Sequence, residues 1–141
     1  MLTNLKTIVD EAYAKKYAVG SFNGYNSETF RGIIQAGPAL ETETPIILAF
    51  GAKYLPNMSL ETAAAMTRSM AEKLDIPVCL HLDHCKDMGV VFQAVKAGFG
   101  SVMYDGSMLP YEENLANTAK VCEVAHACGA SVEAELGSFL Y

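Results

Sequence analysis

One rhythm in this chain limits its possible folds more than any other feature: short apolar segments alternate with stretches whose apolar residues recur at helical spacing. Leu5, Ile8, Val9 and Ala12 give a first helix near residues 3–16. Ala18 to Asn23 then reads as a short strand. Ser27 can cap a helix that runs to about Leu40, with Gly37-Pro38 expected to disturb its last turn. Pro45 to Phe50 is a near-continuous apolar run, suited to a strand covered on both faces. The unit then repeats. Ser59 caps a helix carrying Ala63, Met66, Met70 and Leu74, followed by a strand from Pro77 to Asp83. Asp87 opens a helix whose Val91, Ala94 and Val95 face inward, and Gly98 ends it. Ser101 to Tyr104 is a strand, Tyr111 to Cys128 a helix closed by Gly129, and Ser131 to Leu136 a last strand.

Strands and helices that alternate through short connections call for a parallel sheet of right-handed βαβ units. An open doubly wound sheet and part of a (βα)8 barrel both satisfy that pattern. The first strand-to-helix turn lacks G-x-G-x-x-G, which weakens the dinucleotide-binding form of the open sheet. A barrel takes about 200–250 residues or more, and this chain has 141. The barrel reading therefore makes residues 1–141 a single incomplete domain. It holds about the first five strands, the four intervening helices and an N-terminal helix, with strands 1 and 5 as exposed flanks.

Composition excludes several function classes. Hydrophobic residues make up 51% and charged residues 18%, the profile of a well-buried globular protein. Net charge is −6 and no basic run occurs, so no nucleic-acid partner is expected. No apolar run approaches the roughly 18–20 residues of a membrane span, and Met1 to Lys6 lacks the apolar core of a signal peptide. Cys79, Cys85, Cys122 and Cys128 form no C-x-x-C pair, which points to reduced, structural thiols and a cytoplasmic location.

In a parallel α/β fold, ligands meet the C-terminal ends of the strands. The third strand ends in His81-Leu82-Asp83-His84, the fourth in Tyr104-Asp105-Gly106-Ser107, and the fifth carries Glu133-Ala134-Glu135. Three successive strands thus deliver ionisable groups to one rim. Side chains alternate along a strand, so His81 and Asp83 share one face and His84 can turn over the rim where strand gives way to loop. Glu133 and Glu135 also share a face, the interior of a barrel, where two acids are costly without a cation or donors. Taken singly, each residue has a plainer reading. His81 fits a hydrogen-bonded core histidine, Asp105 a turn residue before Gly106, the two glutamates partners of internal lysines or arginines, and His126 a structural helix residue.

Several runs also carry a family resemblance. Gly20-Ser21-Phe22-Asn23 and Pro77-Val78-Cys79-Leu80-His81-Leu82-Asp83-His84 are two of them. Gly98 to Ser107 with Leu109-Pro110-Tyr111-Glu112-Glu113-Asn114, and Ala125-His126 with Gly129 and Ser131 to Gly137, complete the set. In order and spacing they resemble the N-terminal half of class II fructose- and tagatose-bisphosphate aldolases. The resemblance implies a (βα)8 barrel and a divalent-metal aldol cleavage of a ketose bisphosphate to triose phosphates; the exposed strand edges add the expectation of a homo-oligomer. By position, His84 would be a ligand of the catalytic Zn2+, and Asp83 the acid/base working at the leaving aldehyde's oxygen. Asp105 and Glu135 match positions that, with His84, hold a second or alternative metal, and Asn23 lies in a substrate-side motif.

Two departures matter. After the second strand this chain reads Ala49-Phe50-Gly51-Ala52, where the family has small or hydroxyl residues before Gly-Ala. After Gly137 it reads Ser138-Phe139-Leu140-Tyr141 instead of a Gly-Gly and acidic segment. The resemblance places two further zinc histidines and the phosphate-binding loops beyond that point. The expectation is a truncated aldolase, inactive alone. The alternative is a non-catalytic half-barrel that pairs through its strand edges as an oligomer or interaction module.

Overall fold

The computed structural model describes residues 1–39 and 44–137. Its elements follow the chain in the order α1 (Leu5–Lys15), β1 (Ser21–Gly24), α2 (Ser27–Ala39), β2 (Ile46–Gly51), a 3-10 turn (Ala52–Tyr54), α3 (Leu60–Ala71), β3 (Val78–Cys85), α4 (Met88–Ala97), β4 (Ser101–Tyr104), α5 (Tyr111–Ala127) and β5 (Ser131–Ala134). The five strands form one sheet, all parallel, in the order β1-β2-β3-β4-β5. This is the expected α/β architecture: an open, partial (βα)8 barrel whose edges are β1 and β5.

Local chemistry explains the element ends. Asn4 accepts from the Thr7 backbone N–H to cap α1, Ser59 does the same for Thr62 at α3, and Asp87 for Gly89 and Val90 at α4. At α2 the cap is Asn26, one residue before the expected Ser27. The Asn26 Oδ1 accepts from the Thr29 N–H at 2.9 Å, which leaves Ser27 as the first helical residue. Helix α2 also passes through Gly37-Pro38 to Ala39. Gly37 is buried where a Cβ would lie 2.5 Å from Ile76 Cδ1 and 3.0 Å from Ile46 Cδ1. The glycine therefore serves close packing of α2 on the sheet and does not end the helix. The expected end at Leu40 lies outside the described residues.

The two faces of the sheet divide the work. Leu48 and Phe50 of β2, Leu80 and Leu82 of β3, and Val102 and Tyr104 of β4 point to the helices. There they pack with Phe30, Ile34, Ala63, Val91, Ala94, Val121 and Ala125. The rings of Phe30 and Phe50 meet edge to face at 6.1 Å, a favoured aromatic arrangement. The alternate positions, including Asn23, His81, Asp83, Ser101 and Glu133, face the concave side. Strands β2, β3 and β4 are buried almost throughout, whereas β1 and β5 are largely exposed. That contrast is what two unpaired edges of a parallel sheet produce.

Candidate metal centre and active site

The site begins with a break in regular pairing. Leu82 pairs with Val102 and Cys85 with Tyr104, so β3 carries one more residue than β4 over this stretch. The result is a β-bulge, a device that bends a strand and re-aims a side chain. His84 sits in the bulge with φ of 48°, the left-handed region that a residue with a Cβ enters at a cost. Its imidazole, 58% exposed, turns over the rim instead of following the strand's alternation.

Two carboxylates from neighbouring strand ends meet it there. His84 Nδ1 lies 3.4 Å from Asp105 Oδ2 and 3.5 Å from Glu135 Oε2. One ligand atom from each of His84, Asp105 and Glu135 can be chosen so that all lie within 4.8 Å of one another. Tetrahedral zinc with bonds of about 2.0–2.1 Å separates neighbouring ligand atoms by about 3.3 Å. The two histidine-to-carboxylate distances match that spacing, and the imidazole-plus-carboxylate donor set suits Zn2+. These residues fit a divalent metal.

Each ligand candidate is braced. The Asp105 Oδ1 accepts from the Ser107 N–H at 3.2 Å and from the Ser107 hydroxyl at 2.6 Å, leaving Oδ2 for His84. Burial works to raise the Asp105 carboxyl, but the Ser107 donors, His84 and the charge of Lys86 outweigh it and hold it below its ordinary value. Asp83, on the other side of the imidazole, has Oδ1 4.0 Å from His84 Nε2, and its Oδ2 accepts from Asn23 Nδ2 at 2.9 Å. Asn23 therefore sits across the concave side from β1, oriented by the carboxylate expected to act as acid/base.

His81 lies one layer below and is 4% exposed. Its Nδ1 shares a hydrogen bond with the Ser101 hydroxyl at 2.9 Å, and its Nε2 faces Glu133 Oε2 at 3.4 Å. Burial lowers its pKa, against the opposing pull of Glu133 and Asp83. It is the hydrogen-bonded core histidine of the plainer reading, and it also supplies the partner of Glu133 in place of a lysine or arginine. His126 is exposed in the last turn of α5. Of the chain's three histidines, His84 alone reaches the rim.

The structure adds one residue to the site. Asn114, from α5, donates its amide to the backbone carbonyl of Glu135 at 2.8 Å. The signal available beforehand was its place just after the fourth strand's Asp-Gly-Ser turn, in the first turns of a helix that starts at the rim.

Comparison with known proteins agrees with this architecture. The family profile described as "Fructose-bisphosphate aldolase class-II" matches residues 3–140, and the chain belongs to that family. It is 39% identical over 132 residues to a sulfofructosephosphate aldolase of Alkalicoccus urumqiensis, covering 94% of this chain and 45% of that protein. A probable fructose-bisphosphate aldolase of Bacillus subtilis is 42% identical over 142 residues, covering 97% of this chain and 48% of the relative. The crystal structure of the YdjI aldolase from Escherichia coli K12 superposes with a TM-score of 0.88 at 36% identity, over 97% of this chain and 51% of that one. The chain thus spans about half the length of the relatives it matches.

Proposed function

We propose that this chain carries the N-terminal half of a zinc-dependent class II aldolase active site, for reversible cleavage of a ketose bisphosphate such as fructose or tagatose 1,6-bisphosphate to triose phosphates. The observation that carries the reading is the meeting of His84, Asp105 and Glu135 at the C-terminal rim. His84 would be a ligand of the catalytic metal, and Asp105 and Glu135 would join it around a second or alternative metal position. Bound Zn2+ supplies Lewis-acid stabilisation of the negative charge that develops on the ketone side of the breaking bond. Asp83 moves the proton. In the cleavage direction it accepts from the hydroxyl beside the breaking carbon–carbon bond, and in condensation it returns that proton. Asn23 orients the Asp83 carboxylate through Nδ2 and lines the concave face on which the sugar backbone would lie. Ser107 keeps Asp105 ionised and aimed, a role that outer hydrogen bonds commonly play around metal ligands.

Metal binding and turnover test this in two stages. Zinc titration against a chromophoric chelator should show binding by the chain that His84→Ala abolishes. Equal binding by that variant would refute the assignment. Joined to the C-terminal half of the Bacillus subtilis relative, the chain should cleave fructose 1,6-bisphosphate in a zinc-dependent way, and Asp83→Ala should remove at least 100-fold of that rate, the order of about 10²–10⁴ expected of a general acid/base. The location is proposed to be cytoplasmic. Among the described residues, no helix is long and apolar enough to cross a membrane.

A second reading is favoured by the exposed edges β1 and β5. A non-catalytic half-barrel would pair through them as a homo-oligomer. Sedimentation of the chain as a discrete dimer that binds no zinc would favour this reading over the first.

A further inference from the structure

Glu135 stands one residue beyond the end of β5, which pairs with β4 only from Ser131 to Ala134. Strand pairing therefore stops before the residue that the proposed metal site needs, on an edge strand that lacks a second neighbour among the described residues. The ladder does not continue, yet the Glu135 carbonyl is held. The amide Nδ2 of Asn114 donates to it at 2.8 Å, across 21 residues of sequence. Asn114 is itself 6% exposed, and its Oδ1 accepts from the Thr118 hydroxyl at 3.2 Å, one helical turn further along α5. The Glu135 carbonyl can only accept, so it selects Nδ2 and leaves Oδ1 to the Thr118 hydroxyl, which holds the far end of the amide.

The seat of this amide is made by a glycine. A Cβ on Gly106 would lie 2.1 Å from Asn114 Oδ1 and 2.6 Å from its Cγ. No side chain fits at residue 106 while Asn114 keeps its place. Gly106 directly follows Asp105, so the same close approach that seats Asn114 also sets where the Asp105 turn lies. One amide thereby ties the ends of β4 and β5 to the start of α5.

We infer that Asn114 is a positioning residue, which places Glu135 for the metal by replacing the missing strand pairing with a side-chain hydrogen bond. The inference rests on the zinc-site reading above and adds a residue that touches neither metal nor substrate. A buried donor with a single directional task of this kind affects a metal site through the ligand it orients, and the loss of such partners typically weakens metal binding by roughly 10–100-fold. Asn114→Asp keeps the volume and the Thr118 contact but replaces the donor with an oxygen facing the Glu135 carbonyl.

The test is Zn2+ affinity of the whole chain by chelator competition, with Co2+ absorption as a coordination readout. Asn117→Ala is the matched control. It sits three residues after Asn114 in α5 and donates to the Tyr104 hydroxyl at 3.1 Å, so its loss costs α5 a comparable hydrogen bond without removing the one to Glu135. Asn114→Asp should bind Zn2+ roughly 10–100-fold more weakly than the wild type and change the Co2+ spectrum, while Asn117→Ala binds within about twofold. Thr118→Val, which leaves the Asn114 amide in place but removes the hydroxyl that holds its Oδ1, should show a smaller loss in the same direction. That variant keeps the test open if Asn114→Asp does not fold. Zinc affinity and spectrum unchanged in both Asn114→Asp and Thr118→Val, alongside a loss in His84→Ala, would overturn the inference and leave the metal site standing. Equal loss in Asn117→Ala would also overturn it, because the effect would then belong to the helix. Unchanged binding in His84→Ala would instead remove the metal site itself.

Discussion

Replacing His84 with glycine and, separately, with alanine isolates what the backbone costs at the centre of the site. Both substitutions delete the same half-exposed imidazole and its contacts to Asp105 and Glu135, so those losses cancel between the two variants. They differ in fit to a φ of 48°. An L-residue in the left-handed region costs roughly 1–2 kcal/mol. The extra freedom of glycine in the unfolded chain returns about 0.5–1 kcal/mol of that. The net preference for glycine is therefore about 0.5–1 kcal/mol. With an unfolding entropy of about 2.1 cal/mol/K per residue, a chain of 141 residues changes by about 0.3 kcal/mol per kelvin near its midpoint. The glycine variant should melt about 2–3 °C above the alanine variant in the presence of a chelator. With excess Zn2+ the order changes meaning. The wild type should gain about 2.7 kcal/mol at a hundredfold excess over its Kd, and neither variant should gain any. An alanine variant that melts at or above the glycine variant would refute the argument that His84 is held in a strained bulge for the sake of its imidazole.

Other expectations follow from the burial of specific groups. The imidazole of His81 has a pKa lowered by burial, so its contribution to stability is complete above its unfolded value of about 6.5 and is lost as pH falls toward the folded value. The fall in melting temperature between pH 7 and pH 5 should thus be smaller in His81→Gln than in the wild type, and parallel curves would contradict this. Phe30→Ala removes a fully buried ring from between Gly24 and Phe50 and should cost about 3–5 kcal/mol in urea denaturation. Thiol labelling should modify the exposed Cys128 first. Cys79, buried and pushed up to about 12, and Cys85, raised by burial, should react only on unfolding.

The fold was legible because each strand announced itself in a short apolar run and each helix in its spacing, down to the caps at Ser59, Asp87 and Gly98. Boundaries drifted where edges weaken the signal. Ala18 to Asn23 became Ser21–Gly24, and the expected strand to Leu136 stops at Ala134, because an edge strand pairs on one side only. The convergence of His84, Asp105 and Glu135 was readable from strand ends alone. How His84 gets there was not. A bulge is a mismatch between two strands, and neither strand's sequence contains it. The His81–Glu133 contact was hidden for a similar reason. It runs diagonally across β4, through the register His81–Ser101–Ser131, which emerges only when three strands are aligned together. Asn114 was overlooked because an asparagine early in a helix ordinarily has a local capping partner, while this one reaches to a residue 21 positions away.

The coincidence of sheet order with chain order has a consequence for how the molecule is made. As the chain leaves the ribosome, each of the strands β2 to β5 finds its neighbour already present, and only the N-terminal segment, which bonds to Val78 and Ser131, waits for partners made later. Growth of the sheet can proceed as zippering from one side, with the loop closures between successive strands limited to a single helical hairpin's worth of chain at each step. The advancing border is always the most recent strand, and the unit at that border is the least protected part of the protein until the next one arrives.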